Sequence, residues 1–92
     1  MVEFDRNDLL AIGTTFVLIS PAKARQEFIL TNTSTGAEKI TISFAADAKS
    51  LYGVVLLPYS VYSSPVMAQS VFQGDIYAIC DGAGGQLSIM ER

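Results

Sequence analysis

The 92-residue chain has no histidine, no tryptophan and a single cysteine. The missing histidine removes Ser–His–Asp and Cys–His nucleophile pairs, and with one cysteine it also removes Cys/His zinc sites. A lone thiol excludes an intrachain disulfide and fits a chain made in a reducing cytoplasm. Charge is scarce too, at 16% of residues, with a formal net charge of −3. That balance opposes an affinity built on neutralising phosphates, so nucleic acid is not an expected partner. The N-terminal run Met1 to Asp8 is acidic and lacks the basic start of a secretory signal.

What is abundant is apolar surface, at 50% of residues. Disorder is excluded by that composition, and the length fits one domain. Ser50 to Gly74 runs 25 residues without a formal charge. It holds Gly53, Pro58, Pro65, two glutamines and five serines, a poor lipid-facing helix, so no membrane span is expected.

Short apolar runs followed by turn residues recur about every ten positions, the pattern of an all-β chain. They are Thr14–Ser20, Gln26–Thr31, Glu38–Phe44, Gly53–Leu57, Val61–Tyr62, Val66–Phe72, Asp75–Cys80 and Gln86–Glu91. In the third, Ile40, Ile42 and Phe44 share one face, and Lys39, Thr41 and Ser43 the other. Residues 45–49 fit a helical turn or a loop. Asp81-Gly82-Ala83-Gly84-Gly85 predicts a hairpin loop. The expected fold is an antiparallel β-sandwich or small jelly-roll-like barrel of seven or eight strands. Residues 1–12 are expected to form a flexible arm and residues 13–92 the domain.

Phe16–Ile19, Phe28–Leu30 and Val54–Leu57 are apolar on both faces. A two-layer sandwich buries one face of each sheet, so a doubly apolar strand calls for a cover, such as another subunit. Tyr52, Tyr59 and Tyr62 cluster around Pro58. Tyrosine gives large contact area at low entropic cost, so an interface or packing ridge is the expected role; sugar stacking is the alternative. The expected interface residues are Tyr52, Leu56, Tyr59, Val61, Tyr62 and Val66.

Chemistry-bearing motifs are weak. Asp75 and Asp81 flank one strand of about 20 Å, too far apart for a glycosidase pair at roughly 5–9.5 Å, and read as turn residues. Glu3, Asp5, Asp8 and Asp47 show no calcium-loop spacing. Gly82–Gly85 lacks the last glycine and following helix of a phosphate loop. Cys80 shares a strand face with Ile76 and Ala78 and reads as a small buried hydrophobe. Asn32-Thr33-Ser34 matches a glycosylation acceptor triplet, and Ala22–Arg25 reads as a solvated basic turn. No catalytic residue, metal ligand or cofactor site is assigned, and an enzyme is not expected.

One longer pattern is present. It comprises Arg25-x-x-Phe28-x-Leu30-x-Asn32, Ile40-x-Ile42, Leu56-Leu57-Pro58, Gly74-Asp75-Ile76-Tyr77-Ala78-Ile79 and Leu87-x-Ile89-x-Glu91. Spread over about residues 14–92, it resembles small structural proteins of tailed bacteriophages. The resemblance implies a virion component of the capsid decoration, or cement, class: β-sandwich or jelly-roll modules, often trimeric, on joints between major capsid proteins. It further implies synthesis in the host cytoplasm and residence on the capsid surface. A neck or tail ring component, and a carbohydrate-binding host-recognition module, are the alternatives.

Overall fold

A computed structural model describes residues 4–45, 49, 51–64 and 72–92. Eight strands lie among them: β1 (Arg6–Ile12), β2 (Val17–Ser20), β3 (Phe28–Asn32), β4 (Ile40–Ser43), β5 (Val54–Leu56), β6 (Val61–Ser63), β7 (Ile76–Cys80) and β8 (Gly85–Glu91). The strand expected over Val66–Phe72 and the turn expected at 45–49 lie mostly outside the described residues, as do Val66, Glu3 and Asp47.

The strands form two four-stranded antiparallel sheets, β1-β8-β3-β6 and β2-β7-β4-β5. The pairs β1·β8, β2·β7, β3·β6 and β4·β5 are those of one long hairpin, and β3·β8 and β4·β7 arise when that hairpin rolls up. This strand order is the eight-stranded jelly roll, the finer of the two architectures expected. Rolling explains why every connection except β4–β5 passes from one sheet to the other.

Alternation sets the inner strands. In β3 and β7 every second side chain is buried: Phe28, Leu30 and Asn32, then Ile76, Ala78 and Cys80. In β8 the buried set is Gly85, Leu87, Ile89 and Glu91. The apolar members of these sets, with Ile12, Ile19, Ile40, Ile42 and Leu56, form one core between the sheets. Cys80, 1% exposed, packs there as the hydrophobe expected.

Two expectations about the chain path are corrected. Residues 6–12 are not an arm: β1 pairs with β8 over seven positions, from Arg6↔Glu91 to Ile12↔Gly85. Its polar first half carries little strand propensity, and pairing supplies what local sequence does not. The Asp81–Gly85 loop is not a hairpin either, because β7 and β8 belong to different sheets. It is a corner, and Gly85 makes the corner possible. A Cβ there would lie 2.7 Å from both the Cys80 sulfur and the Ile12 carbonyl oxygen.

Polar groups close the two ends of the core. At one end the buried Asn32 amide donates to the Glu38 and Leu56 carbonyls (2.9 and 2.8 Å), and its oxygen accepts from Ser34 N–H. The Asn32 nitrogen is thereby committed inside the fold, so the acceptor triplet is not available for glycosylation in the folded chain. At the other end stands Glu91, described below.

Candidate interaction surface

Among the described residues, eleven large apolar side chains are exposed, and ten of them fall on two opposite sides of the sandwich. One side carries Leu9 of β1, then Phe16, Val17 and Leu18 at β2. The other carries Leu51, Tyr52, Val55, Leu57, Tyr59 and Val61, around β5 and β6. β1 and β2 are each the edge of their sheet, as are β6 and β5 at the other margin. Four-residue connections, 13–16 and 57–60, hold each pair of edges together.

The doubly apolar strands resolve differently. In β3 the second face is half-buried at Ile29. In β4, Thr41 is fully buried although expected on the outer face, because the chain's own 49–53 segment covers it: Leu51 N–H donates to Thr41 Oγ1 at 2.8 Å. Among the described residues nothing covers β2 and β5 in this way, and Val17, Leu18, Val55 and Leu57 are exposed.

The six expected interface residues divide accordingly. Tyr52, Tyr59 and Val61 are 72%, 70% and 58% exposed and lie on the β5–β6 side. Leu56 is corrected: it is 3% exposed and belongs to the core, its neighbours Val55 and Leu57 being the outward ones. Tyr62 is half-buried, its ring 5.9 Å from Phe28 and 6.2 Å from Phe44, so it packs inward. Val66 lies outside the described residues. Phe16, Val17, Leu18, Leu51 and Leu57 were not singled out from sequence as surface residues. The lack of alternation in Phe16–Ile19 and Val54–Leu57 signals all of them but Leu51, which lies in neither run.

Backbone geometry holds part of this surface out. Leu51 and Tyr59 have φ of 67° and 65°, the only non-glycine positive values among the described residues. Each is the third residue of a turn closed by a backbone bond, Tyr52 N to Lys49 O (3.1 Å) and Ser60 N to Leu57 O (2.8 Å). Positive φ there favours glycine; a bulky residue costs about 1–2 kcal/mol. The second turn is suspended from β3, since Tyr59 N–H donates to the Asn32 carbonyl at 2.6 Å. Glycine would relieve both turns and remove the outward side chain at the tip.

The titratable groups serve the fold. Asp75 accepts from Ala22 N–H at 2.6 Å and Asp81 from Lys39 N–H at 2.9 Å, each tying one loop to another. Of the basic turn expected at Ala22–Arg25, residues 22–24 are exposed as expected and Arg25 is not. The Arg25 side chain is fully buried and its guanidinium donates to Glu91 (2.8 Å), Ser20 Oγ (2.8 Å) and the carbonyls of Pro21, Phe72 and Gly74. Glu91, itself 1% exposed, also accepts from Ser20 Oγ (2.7 Å), Arg6 (3.1 Å) and Lys23 (2.9 Å). Burial pushes its carboxyl up, but the bonds from Ser20, Arg25, Lys23 and Arg6 outweigh that and hold it at about 2. A carboxylate saturated by four donors is a structural clasp, not a proton shuttle. Among the described residues, no three His, Cys, Asp or Glu side chains gather as a metal site would require, and no helix is long and apolar enough to cross a membrane.

Compared with protein-family models, curated proteins and solved structures, the chain finds no match, so its own geometry is the ground for a functional reading.

Proposed function

We propose that this chain is a non-enzymatic structural protein of a tailed-phage virion, a capsid decoration protein. It self-associates, with a trimer favoured, and binds across joints between major capsid subunits. The observation that carries the reading is the apolar surface at both margins of the sandwich, where Tyr52 and Tyr59 stand 72% and 70% exposed. Apolar surface on that scale marks an interaction site. A small domain whose core is thin also gains stability by associating. Each copy that binds the assembled shell but not free subunits shifts the assembly equilibrium towards the shell by mass action.

Light scattering coupled to size exclusion, followed by co-sedimentation with assembled shells and with free capsid subunits, tests the proposal. A trimer that sediments only with shells supports it. A ring of six or more copies moves the assignment to the neck or tail, and a monomer that ignores shells overturns it. Binding to a glycan array that is lost in Tyr59→Ala, with the solution mass unchanged, would assign the tyrosines to carbohydrate recognition instead.

A further inference from the structure

We infer that the two apolar margins are the two halves of one joint: the β1/β2 side of one copy packs on the β5/β6 side of the next, head to tail. The inference rests on the self-association proposed above and specifies its geometry.

Three observations lead to it. First, the margins differ. One is built on Phe16, Val17 and Leu18, the other on two turns that push out Leu51 and Tyr59. Second, they lie at opposite margins, because each sheet is four strands wide and ends in β1 or β2 on one side and β6 or β5 on the other. Third, the β2, β5 and β6 edges lack the charges that normally protect a free edge: residues 14–22 and 50–64 contain no charged side chain, and at these margins only β1 carries any, at Arg6 and Asp8.

Area decides how the margins combine. The exposed apolar side chains of the β5/β6 margin present roughly 500 Å², and those of the β1/β2 margin roughly 300 Å², from ordinary side-chain areas. A head-to-tail joint therefore removes roughly 800 Å² of apolar surface. Since apolar atoms make up a little over half of an interface, that corresponds to roughly 1,400 Å² in all, within the size of a stable, specific contact. A two-fold joint between like margins leaves the other margin bare in every copy. The head-to-tail joint covers both margins with one kind of contact. Such a contact is heterologous, so it makes a ring of three or more copies where its rotation closes and an open filament where it does not, and never a two-fold dimer.

Two charge-introducing variants on opposite margins test the joint. Leu18→Lys blocks the β1/β2 side and Leu57→Lys the β5/β6 side; both positions are about half exposed, so the fold is retained. Alone, each is expected to fall from the wild-type mass to the 9.9 kDa of one chain. Mixed in equal amounts, they are expected to form a 1:1 dimer and nothing larger, because one intact joint remains between them. A mixture that stays monomeric, or a single variant that keeps the wild-type mass, overturns the inference. Oxidative crosslinking supplies an independent readout: L18C and L57C should crosslink to each other across copies, and crosslinks of L18C to itself would overturn the head-to-tail geometry. A wild-type monomer defeats the self-association reading. A wild-type oligomer with like-to-like crosslinks defeats only the joint.

Discussion

Replacing Glu91 by glutamine keeps the shape of the side chain and removes the charge that three cations share. Arg25, with no exposed side-chain surface, would then be a buried guanidinium without its counter-ion; Lys23 would lose its ion pair with Glu91, and Arg6 would keep only Asp8. Breaking a buried pair from one side costs about 3–5 kcal/mol. A domain of this size loses about 4–8 °C of midpoint per kcal/mol, so E91Q should unfold more than about 12 °C below wild type. The same group sets an acid limb. Its carboxyl titrates at about 2 in the folded chain and near 4.5 when released. Because the folded value is the lower one, its contribution is complete above the unfolded value and is lost as pH falls from 4.5 towards 2. That gap converts to about 3 kcal/mol. Urea denaturation at a series of pH values from 7 to 2 reads both effects. Wild type should lose stability steeply in the acid window, and E91Q, already without the charge, should lose about 3 kcal/mol less across it. Should E91Q not fold, Ser20→Ala removes the 2.7 Å bond to Glu91, together with the 2.8 Å bond that Ser20 Oγ accepts from Arg25, and leaves the Glu91 charge in place. It should cost about 1.5–3 kcal/mol and move the acid limb to higher pH. Parallel acid slopes in wild type and variant would refute the idea that Glu91 holds this end of the sandwich.

Three further perturbations separate interior from surface. Leu56→Ala should cost about 2–5 kcal/mol in thermal or urea unfolding, whereas Tyr52→Ala, truncating an exposed ring, should change the stability of the single chain by less than about 0.5 kcal/mol. Tyr59→Gly should raise the unfolding free energy of the isolated chain by about 1 kcal/mol in urea denaturation, by relieving the positive φ, while weakening association measured by light scattering. Asn32→Ala should destabilise by about 1–3 kcal/mol for each of the Glu38 and Leu56 carbonyls left unpaired, read by urea denaturation.

The rolled architecture explains why the polar locks sit where they do. A sandwich of two four-stranded sheets is open at both ends, and the ends are where backbone groups of crossing loops gather unpaired. Arg25 satisfies four such carbonyls, of Ser20, Pro21, Phe72 and Gly74, from a single side chain. Asn32 does the same for two at the opposite end. Both residues, with Phe28, Leu30, Ile40, Ile42, Leu56, Ile76, Ala78, Leu87, Ile89 and Glu91, belong to the pattern on which the resemblance to phage structural proteins rests, and all are buried. That pattern therefore speaks to how the chain folds. The docking partner is a separate question, to be read from the margins, where the pattern contributes only Leu57.

The sequence is enough to set the class of fold. Alternation in Glu38–Phe44, with Ile40, Ile42 and Phe44 on one face, and the recurring short apolar runs punctuated by turn residues mark strands, because side chains in an extended chain alternate strictly. It also determined that β2 and β5 carry apolar residues on both faces. Strand partners were decided only by tertiary structure. A glycine-rich run such as Asp81–Gly85 serves equally as hairpin or sheet-to-sheet corner, and the choice depends on which strands bury the most surface together. Pairing with β8 likewise turned the polar-looking Arg6–Ile12 into an edge strand. The ionic clasp was invisible for the same reason. Arg25 and Glu91 stand 66 residues apart, and only the roll that brings β8 between β1 and β3 places one against the other, away from water.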